Sequence, residues 1–179
     1  MNRFINWLIF FVYVAIIYST LGVVQRIWDS LALKYGGLPT YILYGLFGVF
    51  VVGCLSYMFF YLGKRGLKDY SFLAAAVIGY ICLFVILKRY ASERVHTLEY
   101  GLLGYISYRA VRGKNALKSY TFAVLITAII GYVDELIQFF LPNRYYDPRD
   151  AIVNALCGLL GILIVHALKR PKNADFKNY

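Results

Sequence analysis

The chain has 179 residues, 61% of them hydrophobic, with 18 Tyr and 13 Phe. A soluble domain is nearer half apolar, so the composition excludes a water-soluble core and indicates an integral membrane protein with one domain, residues 1–179. The formal net charge of +10 comes mostly from bases between apolar segments. There they set topology and touch anionic lipid, and no motif points to nucleic acid.

The expected fold class is all-α: a polytopic membrane helix bundle of about six transmembrane helices. The N-terminal "MNRFINWLIFFVYVAIIYSTLG" is basic then apolar, as a signal peptide is. Its apolar run is about twenty residues, it has no A-x-A-like cleavage site and further spans follow, so a retained first span over 4–24 is expected. In "VVQRIWDSLALKYGGLP", Val24, Ile27, Trp28 and Leu31 recur at helical spacing, which predicts a separate short helix lying in the interface. Gly36, Gly37 and Pro39 break the chain before the second span. The remaining spans are expected at 41–62, 70–87, 95–112, 119–141 and 150–168, each about long enough to cross a bilayer. The fourth is the weakest, because it holds His96, Glu99 and Arg109. Cys54, Cys82 and Cys157 each fall inside an apolar segment without CxxC spacing and read as free thiols.

With the N-terminus inside, one side collects 12 of the 19 Lys and Arg, which predicts cytoplasmic N and C termini. The loops at 88–95 and 142–149 then face outward. Near that outer surface, three spans carry polar residues. In the fourth, His96, Glu99 and Tyr100 share one helix face, continued by Leu103 and Ser107. In the fifth, "ITAIIGYVDELIQFFLPNR" places Asp134 beside Glu135 with Gln138 a turn later. The two acids point about 100° apart, so both can face inward only across a broad buried face. In the sixth, Asp150, Asn154, Gly158 and Gly161 form a stripe whose glycines let a neighbouring helix approach closely.

Depth counting puts Glu99, Glu135 and Asn154 roughly 6–9 Å below the same surface, at 1.5 Å per residue. A charged carboxylate at bilayer mid-depth costs roughly 2.5–3.5 kcal/mol, less near the interface, so two in one lipid-facing helix insert poorly. Facing His96, Arg94, Arg144 or Arg149 they can be paired; the alternative is that one of the two is protonated. A single intramembrane Gln or Asn is usually interhelical glue, but the coplanar set points to a pocket. Arg144 and Arg149 taken alone read as loop arginines facing water, Tyr145 and Tyr146 as interfacial belt residues, and His166 as structural.

At these residues the sequence resembles the VanZ-like family of bacterial membrane proteins. The likeness lies in "ERVHTLEYGLLGY" and "DELIQFFLPNRYYDPRDAIVNALCGLLG", about residues 92–161. The family's pattern falls on Glu93 or Arg94, His96, Tyr100, Asp134, Glu135, Gln138, Arg144, Asp150, Asn154, Gly158 and Gly161. Thr97 departs from it, where the family often has an aromatic residue. The first ninety residues carry no motif of the family. The resemblance implies a multi-pass protein of the bacterial cytoplasmic membrane. Its namesake is associated with teicoplanin resistance, which supplies a context and not a mechanism.

Three functions fit. The first is a binding protein whose outward-facing pocket of His96, Glu99, Tyr100, Glu135, Gln138, Arg144, Asp150 and Asn154 holds a ligand. The partner is a membrane lipid, a lipid-linked cell-wall precursor or a glycopeptide antibiotic. The second is an intramembrane hydrolase or transferase on a lipid-linked substrate, using His96, Glu99, Asp134 and Glu135 as acid–base groups or metal ligands. The chain has no HExxH and no second His near His96, and no cofactor is indicated. The third is a proton-coupled carrier, for which the chain is short and its polar layer lies near one side only.

Overall fold

The computed structural model describes residues 2–61, 66–86, 93–141 and 146–169. They form six helices and, among the described residues, no strand: α1 (Arg3–Tyr35), α2 (Leu38–Tyr61), α3 (Leu67–Ile86), α4 (Glu93–Val111), α5 (Ala116–Phe139) and α6 (Pro148–Leu168). All but α4 are both long and apolar enough to span a bilayer. The protein is a polytopic helical membrane bundle.

The separate interface helix is corrected: residues 24–35 continue α1, a single helix of 33 residues. Nothing between Gly22 and Tyr35 breaks it, since the segment has no Pro, and its polar side chains fold back onto the helix. Arg26 Nε donates to the Gly22 carbonyl at 2.8 Å and Ser30 Oγ to the Arg26 carbonyl at 2.8 Å. At 1.5 Å per residue α1 is about 50 Å long, so about 20 Å lies beyond a 30 Å hydrocarbon slab. The helix stops at Gly36, whose φ of 60° suits glycine and whose N–H donates to the Ala32 carbonyl. The stop therefore comes where the Gly-Gly-Pro punctuation predicts.

Helical periodicity explains the inner faces. In α1, Phe10, Val14, Ile17 and Leu21 are buried. In α3 the inner face is Leu73, Ala76, Tyr80 and Leu83 with Phe84. α4 differs, because it packs against α6, α5, α1 and α3. Thr97, Tyr100, Leu103 and Ser107 on it are all buried. A helix lined by protein on most sides needs only a narrow lipid-compatible face, here Leu102 and Tyr105, which is why α4 holds polar residues and still belongs in the bundle.

Glycine lets α4 and α6 meet. A Cβ on Gly104 would overlap the Gly158 carbonyl, and one on Gly161 would overlap the Gly101 carbonyl. A Cβ on Gly158 would stand 2.5 Å from Thr127 Cγ2, so α5 is also drawn in. Tyr80 donates its hydroxyl to the Cys157 carbonyl at 3.3 Å and ties α3 to the same helix.

The bundle has two chemically distinct ends. At one, Asn6 Nδ2 donates to the Arg109 carbonyl at 3.1 Å and Lys169 Nζ to the Tyr108 hydroxyl at 3.0 Å. His166 Nδ1 lies 3.0 Å from the Tyr120 hydroxyl, and its ring meets Phe72 edge-on. This basic end gathers the start of α1, α3 and α5 and the finish of α4 and α6. The opposite end, where α4 and α6 begin and α5 finishes, gathers the described acids Glu99, Asp134, Glu135, Asp147 and Asp150 and is called the acidic end.

Candidate functional site

The last turns of α5 supply Asp134, Glu135 and Gln138, all buried, with each acid only 1% exposed. Neighbouring helix residues diverge by about 100°, and here each acid meets a different set of partners. Glu135 faces the first turns of α4 and α6. Its Oε1 accepts from Gln138 Nε2 at 3.2 Å and its Oε2 from the Asp147 backbone N–H at 3.4 Å. His96 and Asp150 are close enough to act on it electrostatically. Asp134 faces the other way, toward the hydroxyls of Tyr100 on α4 and Tyr18 on α1.

On α4, His96 Nδ1 stands 2.9 Å from Glu99 Oε2, and both side chains are partly exposed. The contact is an ion pair when the imidazole is protonated. Tyr100 is fully buried, as is Thr97 beside it. Asn154 on α6 is buried against Gly131, where an added Cβ would come within 2.7 Å of Asn154 Cβ and 3.3 Å of Tyr100. Gly131 therefore makes room for α6 and for the Tyr100 ring. Asp150 is partly buried and Arg149 exposed.

The structure brings together His96, Glu99, Tyr100, Asp134, Glu135, Gln138, Asp150 and Asn154. They form two tiers. Glu135, Gln138, His96, Glu99 and Asp150 lie toward the helix ends at this side of the bundle, and the buried Tyr100, Asp134 and Asn154 behind them. Arg144 lies outside the described residues, as do the side chains of Glu93 and Arg94 and the tail from 170. Ser107 lies deeper, where it accepts from Thr127 Oγ1 at 3.2 Å. His166 sits at the basic end.

Three further residues belong to the site. Asp147 caps α6, accepting from the Arg149 N–H at 2.8 Å, while its own N–H reaches Glu135. The Asp-Pro pair before an apolar run signals a cap followed by Pro at the first helical position; nothing in sequence ties it to Glu135. Tyr13 donates to the Glu99 carbonyl at 3.2 Å and Tyr18 to the Ile130 carbonyl at 3.0 Å. These pin α1 to the site, and nothing marks them among 18 tyrosines.

Glu99, Asp134, Glu135, Asp147 and Asp150 are five of the nine acids in a chain of net charge +10. A cluster of carboxylates, an amide pair and an imidazole offers mostly acceptors. It suits hydroxyl, amide or amine groups, and His96 beside Glu99 can also move a proton. Among the described residues no group of three or more His, Cys, Asp or Glu has the geometry to hold a metal ion.

The sequence pattern of the VanZ/LLP1 family matches residues 3–169. The match takes in the first ninety residues, where no motif was legible. No curated protein and no solved structure matches the chain. The chain belongs to the VanZ/LLP1 family.

Proposed function

We propose that this VanZ/LLP1 family member binds the polar head group of a cell-envelope amphiphile at the acidic end of its bundle, in the bacterial cytoplasmic membrane. The observation that carries the reading is Glu135. It is a carboxylate 1% exposed, held by Gln138 and the Asp147 N–H, with His96 and Asp150 near enough to act on it electrostatically. Burying two adjacent carboxylates in one span costs several kcal/mol. Interhelical glue needs only a Gln or an Asn, so two buried acids side by side favour a ligand site over glue. With both termini cytoplasmic, this end of the bundle faces outward, toward lipid-linked cell-wall precursors and lipidated glycopeptides. These are rich in hydroxyls, amides and, in the glycopeptides, amines. Teicoplanin resistance follows if the site sequesters the antibiotic or its target.

A second reading rests on His96 held 2.9 Å from Glu99: an acid–base pair for hydrolysis or transfer on a lipid-linked substrate. One comparison separates the two. Glu135→Gln and His96→Ala are expressed, membrane insertion is checked, and teicoplanin sensitivity is scored alongside turnover of a lipid-linked precursor by purified protein. The binding reading predicts altered sensitivity for Glu135→Gln and no turnover by any form. Turnover lost in His96→Ala selects the enzyme. Wild-type behaviour of both variants in both assays rejects the site.

A further inference from the structure

A cavity of about 970 Å³ lies away from the acidic site, between α2, α4 and α6. It exists because α2 rests on α3, through Phe47 against Tyr80 and Phe84, and stands off α4. Its walls are apolar, with Leu46 and Phe50 from α2, Leu102 from α4 and Ile164 from α6. It follows α4 from Leu98 to Arg112, about 20 Å at 1.5 Å per residue, or two-thirds of the hydrocarbon thickness.

One end of the groove is cationic. Arg109, Arg112 and Lys169 line it, and no described lining residue is acidic. Two of the three are held in place. Arg109 Nη1 donates to the Tyr105 hydroxyl and its Nη2 to Asn6 Oδ1, both at 3.3 Å, and Lys169 Nζ donates to the Tyr108 hydroxyl at 3.0 Å. Arg112 is exposed. An apolar slot of lipid length, closed at one end by three cations and two tyrosine hydroxyls, is complementary to an amphiphile with an anionic head. The head needs to be compact and to present several acceptors to guanidinium groups, as a phosphate does.

We infer that the groove between α2, α4 and α6 seats one phosphate-bearing anionic lipid, its chains along Leu46, Phe50 and Leu102 and its phosphate at Arg109, Arg112 and Lys169. The site lies at the opposite end of the bundle from Glu135 and does not rest on the function proposed for that end. With cytoplasmic termini it opens to the inner leaflet, where anionic lipids meet basic pockets between helices. A lipid there fills the gap that α2 leaves and makes α2 part of the bundle.

The test is native mass spectrometry of the full chain in detergent. It is titrated with dioleoylphosphatidylglycerol, with dioleoylphosphatidylcholine and with inorganic phosphate. The expected result is one retained phosphatidylglycerol, preferred over phosphatidylcholine by about tenfold, the worth of one charge-assisted hydrogen bond. The preference should fall to within about twofold in the double variant Arg112→Gln, Lys169→Gln, whose lost bonds are of that class. It should vanish in Leu46→Trp, Leu102→Trp, which fills the slot and keeps the charges. Circular dichroism and a monodisperse elution profile check that each variant is folded, and if the filled variant is not, the charge variant decides. Equal retention of both lipids would mean annular lipid only and would overturn the proposal. So would a preference that survives either folded variant, or inorganic phosphate held as firmly as the lipid.

Discussion

The close approach of α4 and α6 positions Tyr100, Asn154 and the acids of α5, and it can be tested at one atom. In Gly104→Ala the new Cβ overlaps the Gly158 carbonyl, with the Gly158 Cα also only 3.0 Å away. Backbone cannot rotate aside as a side chain can, so the helices must part. Overpacking of this kind costs about 1–3 kcal/mol, while alanine's helix propensity returns up to about 1 kcal/mol. The control is Gly48→Ala in α2, where an added Cβ meets nothing within 4 Å. The propensity gain is common to both, so the difference between them isolates the packing cost, about 1–3 kcal/mol. At roughly 2–4 °C per kcal/mol for a chain of this size, thermal unfolding in detergent should place Gly104→Ala several degrees below Gly48→Ala. Gly48→Ala should sit at or above wild type. Equal midpoints for the two variants would refute the backbone contact, and with it the way the site is held.

Other expectations can be checked in the same preparation. Asp147→Ala removes the cap of α6 and should lower stability by about 1 kcal/mol, with Asp147→Asn recovering most of it; chemical denaturation of the pair reads this directly. Tyr120→Phe keeps the ring stacked on Tyr108 but loses the hydroxyl that meets His166. A loss of about 0.5–1.5 kcal/mol in unfolding free energy is expected, with no change at the acidic end, since the pair sits at the other end of the bundle. Thr127→Val removes the bonds to Ser107 and to the Ala123 carbonyl and leaves a buried Ser107 short of a partner. It should cost about 1–3 kcal/mol, and Thr127→Ser should restore most of it.

Six helices and their approximate limits are legible in the sequence, because apolar length and turn residues are one-dimensional signals. The end of the first helix is not. Val24, Ile27, Trp28 and Leu31 fit an interfacial helix and the tail of a longer one equally well, and only the unbroken geometry through Gly22 decides. The polar residues of α4, α5 and α6 can be placed at one depth by counting along alternating helices. Counting cannot say which way Asp134 turns. Its neighbours Tyr100 and Tyr18 come from α4 and α1, and the packing of α1 on the site leaves no periodic mark. The cavity at the basic end is equally silent in sequence. It arises from the stand-off between α2 and α4, a property of pairs of helices that no single segment displays.

The central claim is that Glu135 lies in a head-group site. The most direct measurement is equilibrium binding of a lipid-linked cell-wall precursor, and separately of teicoplanin, to the full chain in nanodiscs. Wild type is compared with Glu135→Gln, with Gly48→Ala as the packing control. Loss of one hydrogen bond to a charged group, about 1.5–3 kcal/mol, predicts that Glu135→Gln weakens one of the two ligands by at least about tenfold, with Gly48→Ala binding as wild type does. Undiminished affinity of Glu135→Gln for a ligand that wild type binds, or no binding of either ligand by wild type, would contradict the account.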